Sequence, residues 1–471
     1  MHADYIPHSD EDIQSMMQLV GVSSLNALFD TVPSSILLDD ARAKAILTSS
    51  ALSSQGMTEI ELVLHVKGLT SKNMVYKSIF LGAGCYHHFI PSTVDYLAAR
   101  GEFWTAYTPY QAEFSQGFLQ AIFEYQSMIA SLAGMNYSNA SLYDGATSLV
   151  DAIIMAASQN KKRRTVLIAG QINPFYGSTI TTALMPRNIT FKQIDMTGAS
   201  GTSGESWAEK VSRSMTEDVV AVVICSPDFF GTILDVASIV DAVKAKDNGV
   251  ITIHCIAEAL SLPLLKSPGA AGVDIAVGEA QSLGIPMSFG GPALGFIAVS
   301  DAKLLHKMPG RIVGLTREVN GGERQGFTLT LTAREQHIRR ERALSNICSN
   351  EALNMLRAAI YMASLGSTGL RQVARINVQK ANHLKAKLSS IAGVTCINTG
   401  PTFNEFAINV GDAVTARRII DACEAASILG PLDLGSLDAR WTGTLLCCVT
   451  EMNEPRAMDA LVAICKEGIR P

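Results

Sequence analysis

Apolar positions change spacing three times along the chain. In residues 1–70 they come in short helical stretches. Ser9 followed by Asp12 resembles a capping box, Met16, Met17 and Val20 continue an apolar face, and Ser24–Phe29 suggests a second short helix. From Gln111 to Leu132 the spacing of Phe114, Phe118, Ile122, Tyr125, Met128 and Leu132 predicts one long helix, stopped by Gly134. Short runs with almost no alternation follow: Val166–Gly170, Val219–Cys225, Val250–Cys255, Val273–Val277 and Gly295–Ser300. Continuous apolar strands joined by helix-length crossovers predict a largely parallel sheet covered on both faces. Beyond about residue 330 the spacing is helical again through Arg334–Leu365. Strands are then expected near Val394–Asn398, Glu405–Val410 and Leu445–Thr450. The expected architecture is a helical arm (1–70), a large α/β domain (71–330) and a smaller C-terminal α/β domain (331–471).

Composition adds two constraints. Hydrophobic residues make up 48% of the 471 positions and charged residues only 17%. So little charge implies that much apolar surface is covered, some of it by another subunit. The most apolar stretch, Val250–Leu265, is interrupted by His254, Glu258 and Ser261, so no membrane span is expected. Met1-His2-Ala3-Asp4 resembles neither a secretory nor a transit segment. A net charge of −5 gives no reason to expect nucleic acid, and the basic run Lys161–Arg164 reads as a solvated helix end. Nine scattered cysteines without a CxxC pair read as buried hydrophobes of a reducing, cytoplasmic compartment.

Generic signatures are few: the chain has no GxxxxGK[ST], HExxH or GxSxG. Phe80–Gly84 begins like a dinucleotide fingerprint but lacks the third glycine, so a tight turn explains it better. Asn139–Ser148 opens a helix with small residues, and its bare N–H groups at Gly145, Ala146 and Thr147 could cradle a phosphate. The competing reading is that Asp144 merely caps that helix, and its carboxylate would also repel phosphate. In Thr105–Gln111, Tyr107, Thr108 and Tyr110 surround Pro109 and offer hydroxyls to a ligand, although buried tyrosine pairs are commoner.

Several blocks together carry a family resemblance. Phe80–Gly84 with His88 and Pro91, Thr105–Gln111, Phe123–Gln126, Tyr143–Thr147 and Gln281–Gly284 are similar to blocks of the glycine-cleavage P-protein family. So are Pro309–Arg311, Arg334–Arg340 and Ser345–Cys348. The length suits the first (alpha) subunit of the split form. The resemblance implies an aspartate-aminotransferase-like fold (PLP fold type I) and pyridoxal phosphate chemistry. It places a phosphate loop at Gly145–Ser148 and aligns Glu258 with the carboxylate that faces the pyridinium nitrogen.

The cofactor lysine is expected after Val273–Val277, yet 267–302 contains no lysine, and Gln281 occupies the region. Lys266 and Lys303 flank the gap and read as surface residues. The resemblance therefore implies that pyridoxal phosphate is held by a lysine-bearing partner, subunit 2, and not covalently by this chain. It also implies joint decarboxylation of glycine, with aminomethyl transfer to the lipoyl arm of the carrier H-protein. Tyr107, Thr108, Tyr110, His87 and His88 would position substrate in the shared pocket. Asp228, Glu258 and Arg342–Leu344 depart from the family pattern. Two alternatives remain open: a self-sufficient pyridoxal-phosphate decarboxylase or aminotransferase using Lys266, and a non-catalytic scaffold.

Overall fold

The computed structural model describes residues 7–48, 56–104, 107–194, 205–319, 322–398 and 400–470. Its contacts divide the chain into Met1–Val75 and Tyr76–Pro471.

The first unit is helical: Asp10–Val20, a 3₁₀ turn at Asn26–Phe29, Asp40–Thr48 and Glu59–Thr70. Ser9 caps the first helix reciprocally with Asp12, as its sequence predicts, and Thr58 does the same with Glu61 for the last. Among the described residues none in this unit is buried. Leu19, Ile36, Ile60 and Leu64 are instead well exposed.

The second unit is built on a seven-stranded sheet. Its order is Tyr137–Ser138, Gly295–Val299, Ile275–Glu279, Ile251–Ile256, Val219–Cys225, Thr165–Ala169, Thr190–Gln193. The last five run parallel and Gly295–Val299 runs against them. The interior strands are almost continuously apolar because both their faces are covered, whereas the edge strand Thr190–Gln193 is largely exposed. Along Val219–Cys225 all seven residues are buried, with Val222 and Ile224 in one core and Val223 and Cys225 in the other. Each such side chain contributes about 1.5–3 kcal/mol, so Val222→Asp would break the sheet.

The helix Gln116–Ala133 packs on one face and ends at Gly134, whose φ of 64° suits glycine. It starts later than its periodicity predicts, after a 3₁₀ turn at Ala112–Phe114, because Gln116 turns to clamp Phe327 on an antiparallel ribbon, Val313–Arg317 with Gln325–Leu329. Of the long helices expected through Arg334–Leu365, only the later part forms. A short turn at Gln336–Arg339 gives way to irregular chain, and a regular helix resumes only at Ala352. Among Arg334–Arg342 only Ile338 is a large apolar residue, too little to hold a helix face.

A four-stranded antiparallel sheet (Thr395–Cys396, Glu405–Asn409, Thr444–Cys448, Leu432–Asp433) with helices Ala413–Ala425 and Pro455–Gly468 forms a separate core. Ser78–Ile79 pairs with Ile428–Leu429, and Phe80 packs into that core. The Leu81–Ile90 segment is thereby led across the carboxyl ends of the parallel strands, where ligands of open α/β sheets bind. None of the described helices is long and apolar enough to cross a membrane.

Candidate functional site

Four parallel strands end at this crevice in polar residues: Gln171, Asp228, Glu258, and Glu279 with Gln281. Glu258 is buried and fully engaged. It accepts from Leu260 N–H at 2.8 Å, stands 3.1 Å from His88 Nε2 and meets Asn404 at 3.4 Å. The other ring nitrogen of His88 lies 2.9 Å from Glu451. Burial alone would lower the His88 pKa, but the two carboxylates outweigh it and hold it at about 9. His88 is thus held between two carboxylates, Glu258 and Glu451. Half-buried His87 is lowered by burial, and its carbonyl accepts from Thr450.

The helix Gly145–Gln159 presents its N-terminus to the same crevice, and carboxylates occupy it. Asp144 Oδ1 accepts from Thr147 N–H at 2.7 Å, and Glu279 Oε2 accepts from Gly145 N–H at 3.0 Å. Glu279 also accepts from Gln281 N–H and Leu294 N–H, yet burial pushes its pKa to about 7. A Cβ on Gly145 would stand 2.2 Å from the Tyr176 hydroxyl, so this phenol lies directly on the helix start. Gln281, where a lysine would be needed, staples backbone: it accepts from Tyr86 N–H at 2.9 Å and donates to Tyr86 O and Ile285 O at 3.1 and 2.6 Å. Lys266 and Lys303 are both exposed.

Between these groups, beside Tyr86, Asn173, Tyr176, Asp228 and Glu405, remains a cavity of about 20 Å³. That is space for about one water. Burial pushes Asp228 to about 6 and Glu405 to about 7. Pyridoxal phosphate does not fit here. The lysine is missing, carboxylates take two of the helix-start donors a phosphate would use, the N–H groups of Gly145 and Thr147, and Tyr176 fills the place beside Gly145. The sequence reading anticipated the Asp144 cap but missed Glu279 and Tyr176. A glutamate ending the apolar strand Ile275–Glu279 was the available signal.

The other predicted residues gather at a second place. Tyr107 and Tyr110 are 77% and 59% exposed, whereas Thr108 is buried with its hydroxyl 3.1 Å from that of Ser349. Tyr110 Oη accepts from Arg311 Nη2 at 2.8 Å, and the guanidinium lies 5.1 Å from the tyrosine ring centroid. Arg311 also donates to Cys348 O at 2.8 Å and pairs with Glu335. Tyr107 Oη is 3.9 Å from Cys348 Sγ. Parts of four family-like blocks, at 107–110, 309–311, 334–335 and 345–348, thus come together around Arg311. Thr105 and Ala106, the start of the first block, lie outside the described residues.

Comparison with known proteins agrees over the whole chain. The family described as Glycine cleavage system P-protein matches residues 3–465. A probable glycine dehydrogenase (decarboxylating) subunit 1 of Desulforamulus reducens is 42% identical over 463 residues, 98% of each chain. Its counterpart in Shouchella clausii is 41% identical over 460 residues, 97% of each chain. Among solved structures, a glycine decarboxylase (P-protein) in inhibitor-bound form superposes with a TM-score of 0.80 at 37% identity, covering 99% of this chain and 100% of that one. An aspartate aminotransferase of Thermus thermophilus, at 13% identity and TM-score 0.54 over 83% of this chain and 99% of its own, shares the fold alone. These neighbours bear out the fold-type-I expectation.

Proposed function

The chain belongs to the glycine cleavage system P-protein family, and we propose that it is the glycine dehydrogenase (decarboxylating) subunit that holds no cofactor of its own. The observation that carries this reading is the filled crevice. Glu279 and Tyr176 sit on the helix start, and Gln281 is spent on backbone, while the surrounding fold is intact. A lysine-bearing partner, subunit 2, then supplies pyridoxal phosphate. The pair decarboxylates glycine and hands the aminomethyl group to the lipoyl arm of the H-protein.

This chain contributes surface and positioning. Tyr107 and Tyr110 face outward on a loop whose Pro109 fixes one backbone torsion and which Thr108 anchors through Ser349. Arg311 holds Tyr110 from behind. Such a loop can close over a neighbouring pocket, exclude water and donate phenolic hydrogen bonds to a carboxylate. The unburied apolar residues of the first unit supply a partner-covered interface, in keeping with the low charge content. We place the complex in the cytoplasm, a reading supported by nine cysteines that are all free.

The test is reconstitution. Glycine–CO₂ exchange is expected from the mixed subunits with H-protein, and neither subunit alone should sustain it. Exchange by this chain alone would favour the self-sufficient alternative. Full exchange by the partner alone would favour the scaffold.

A further inference from the structure

The second unit also carries a cavity whose lining shares no residue with the crevice at the strand ends. It measures about 310 Å³, floored by Pro309–Arg311 and walled by residues between 334 and 349. It borders five cationic side chains, Lys307, Arg311, Arg334, Arg339 and Arg342, and one carboxylate, Glu335. Arg311 is only 3% exposed and pairs with that single carboxylate. Arg334 spends Nε on Leu331 O and Nη2 on Gly310 O. Two N–H groups remain without a partner, Arg311 Nε and Arg334 Nη1, both buried and both on residues that line this cavity.

Two neighbouring guanidiniums with one counter-ion are an unfavourable buried arrangement until an anion joins them. Burial, and then Arg311 itself, pull Arg334 down to about 10, so Arg334 remains charged at neutral pH. Arginine forks match oxyanions geometrically. The space is about ten times the roughly 30 Å³ share of one water, too large for a bare ion. Leu344 and Ile347 give it apolar wall.

We infer that this cavity binds a small organic acid, its oxyanion held by Arg311 and Arg334 and its body lying against Leu344 and Ile347. The inference is independent of the partner assignment, since the isolated full-length chain suffices to test it. The oxyanion can be a phosphate ester or a carboxylate, and the probes separate the two. Phenyl phosphate, benzoate and inorganic phosphate are titrated calorimetrically at constant ionic strength. In parallel, iodoacetamide alkylation of Cys348, an exposed residue on the cavity wall, is followed by peptide mass spectrometry with exposed Cys85 as internal reference.

The expected result is saturable one-to-one binding of at least one organic acid, tighter than inorganic phosphate. It should slow alkylation at Cys348 and leave Cys85 unaffected. The tighter of phenyl phosphate and benzoate identifies the oxyanion. Arg334→Gln should weaken binding about tenfold or more, as loss of a charged hydrogen bond does. If that variant fails to fold, the footprint on the unaltered chain decides. No saturable binding, inorganic phosphate binding as tightly as both organic acids, equal protection of the two cysteines, or undiminished affinity in a folded Arg334→Gln each overturns the proposal.

Discussion

Replacing Gln281 with lysine asks whether the crevice lacks only its lysine or has been rebuilt. Gln281 is buried and makes three hydrogen bonds, one accepted from Tyr86 N–H and two donated to Tyr86 O and Ile285 O. In Gln281→Lys an ammonium can still reach the two carbonyls but cannot accept from Tyr86 N–H. That donor is left buried and unpaired, at a cost of about 1–3 kcal/mol. Gln281→Ala loses all three bonds and leaves a void, for roughly 2–5 kcal/mol. Denaturant midpoints at constant slope measure both losses. The same Gln281→Lys protein, mixed with excess pyridoxal phosphate and desalted, is expected to stay colourless. Tyr176 and Glu279 still occupy the place beside Gly145, and only about 20 Å³ is open. A yellow Gln281→Lys protein with a borohydride-stable adduct at position 281, or stability equal to the parent, would refute the claim that these side chains close the site.

The remaining predictions concern charge, the rim and the arm. Glu279 and Glu405, pushed to about 7 by burial, and Asp228, pushed to about 6, favour the protonated folded state. His88, held at about 9 by Glu258 and Glu451 against burial, also favours it. Their stabilisation is complete below the unfolded pKa of each and is lost as pH rises through the folded one, so the melting temperature of the isolated chain should fall between pH 6 and pH 8. At about 1.4 kcal/mol per pKa unit the summed change is several kcal/mol; a rising melting temperature over that window would contradict the buried acid cluster. Tyr107→Phe or Tyr110→Phe should lower glycine–CO₂ exchange in the reconstituted enzyme by ~3- to 100-fold with assembly unchanged, the loss of one hydrogen bond to a charged acceptor. Altered assembly with normal turnover per complex would make the loop structural. Deleting residues 1–30 should weaken co-elution with the partner, because it removes exposed Leu19, Val20 and Leu28. Unchanged co-elution would take the arm out of the interface.

The sheet was legible because strands buried on both faces carry no alternation, and Val219–Cys225 shows this directly. The missing lysine was legible as a plain absence. Closure of the crevice was not, because it depends on meetings that periodicity does not report. Glu279 reaches Gly145 across 134 positions, and Tyr176 reaches it from the next helix. His88 illustrates the same limit. The resemblance put it among residues that position substrate, and the fold sets it between Glu258 and Glu451, 170 and 363 positions away. Of the helices expected at Arg334–Leu365, the part before Ala352 failed for a local reason. Arg334 and Arg311 reach backbone carbonyls at Leu331, Gly310 and Cys348, and the segment follows those bonds rather than a helix.

The central claim is that the cofactor of the paired enzyme rests on the partner. Borohydride reduction of the active reconstituted complex, followed by peptide mass spectrometry of both subunits, tests it most directly. The account predicts a pyridoxyl adduct on one lysine of the partner and none on this chain. An adduct on Lys266, Lys303 or any other lysine of this chain would contradict it.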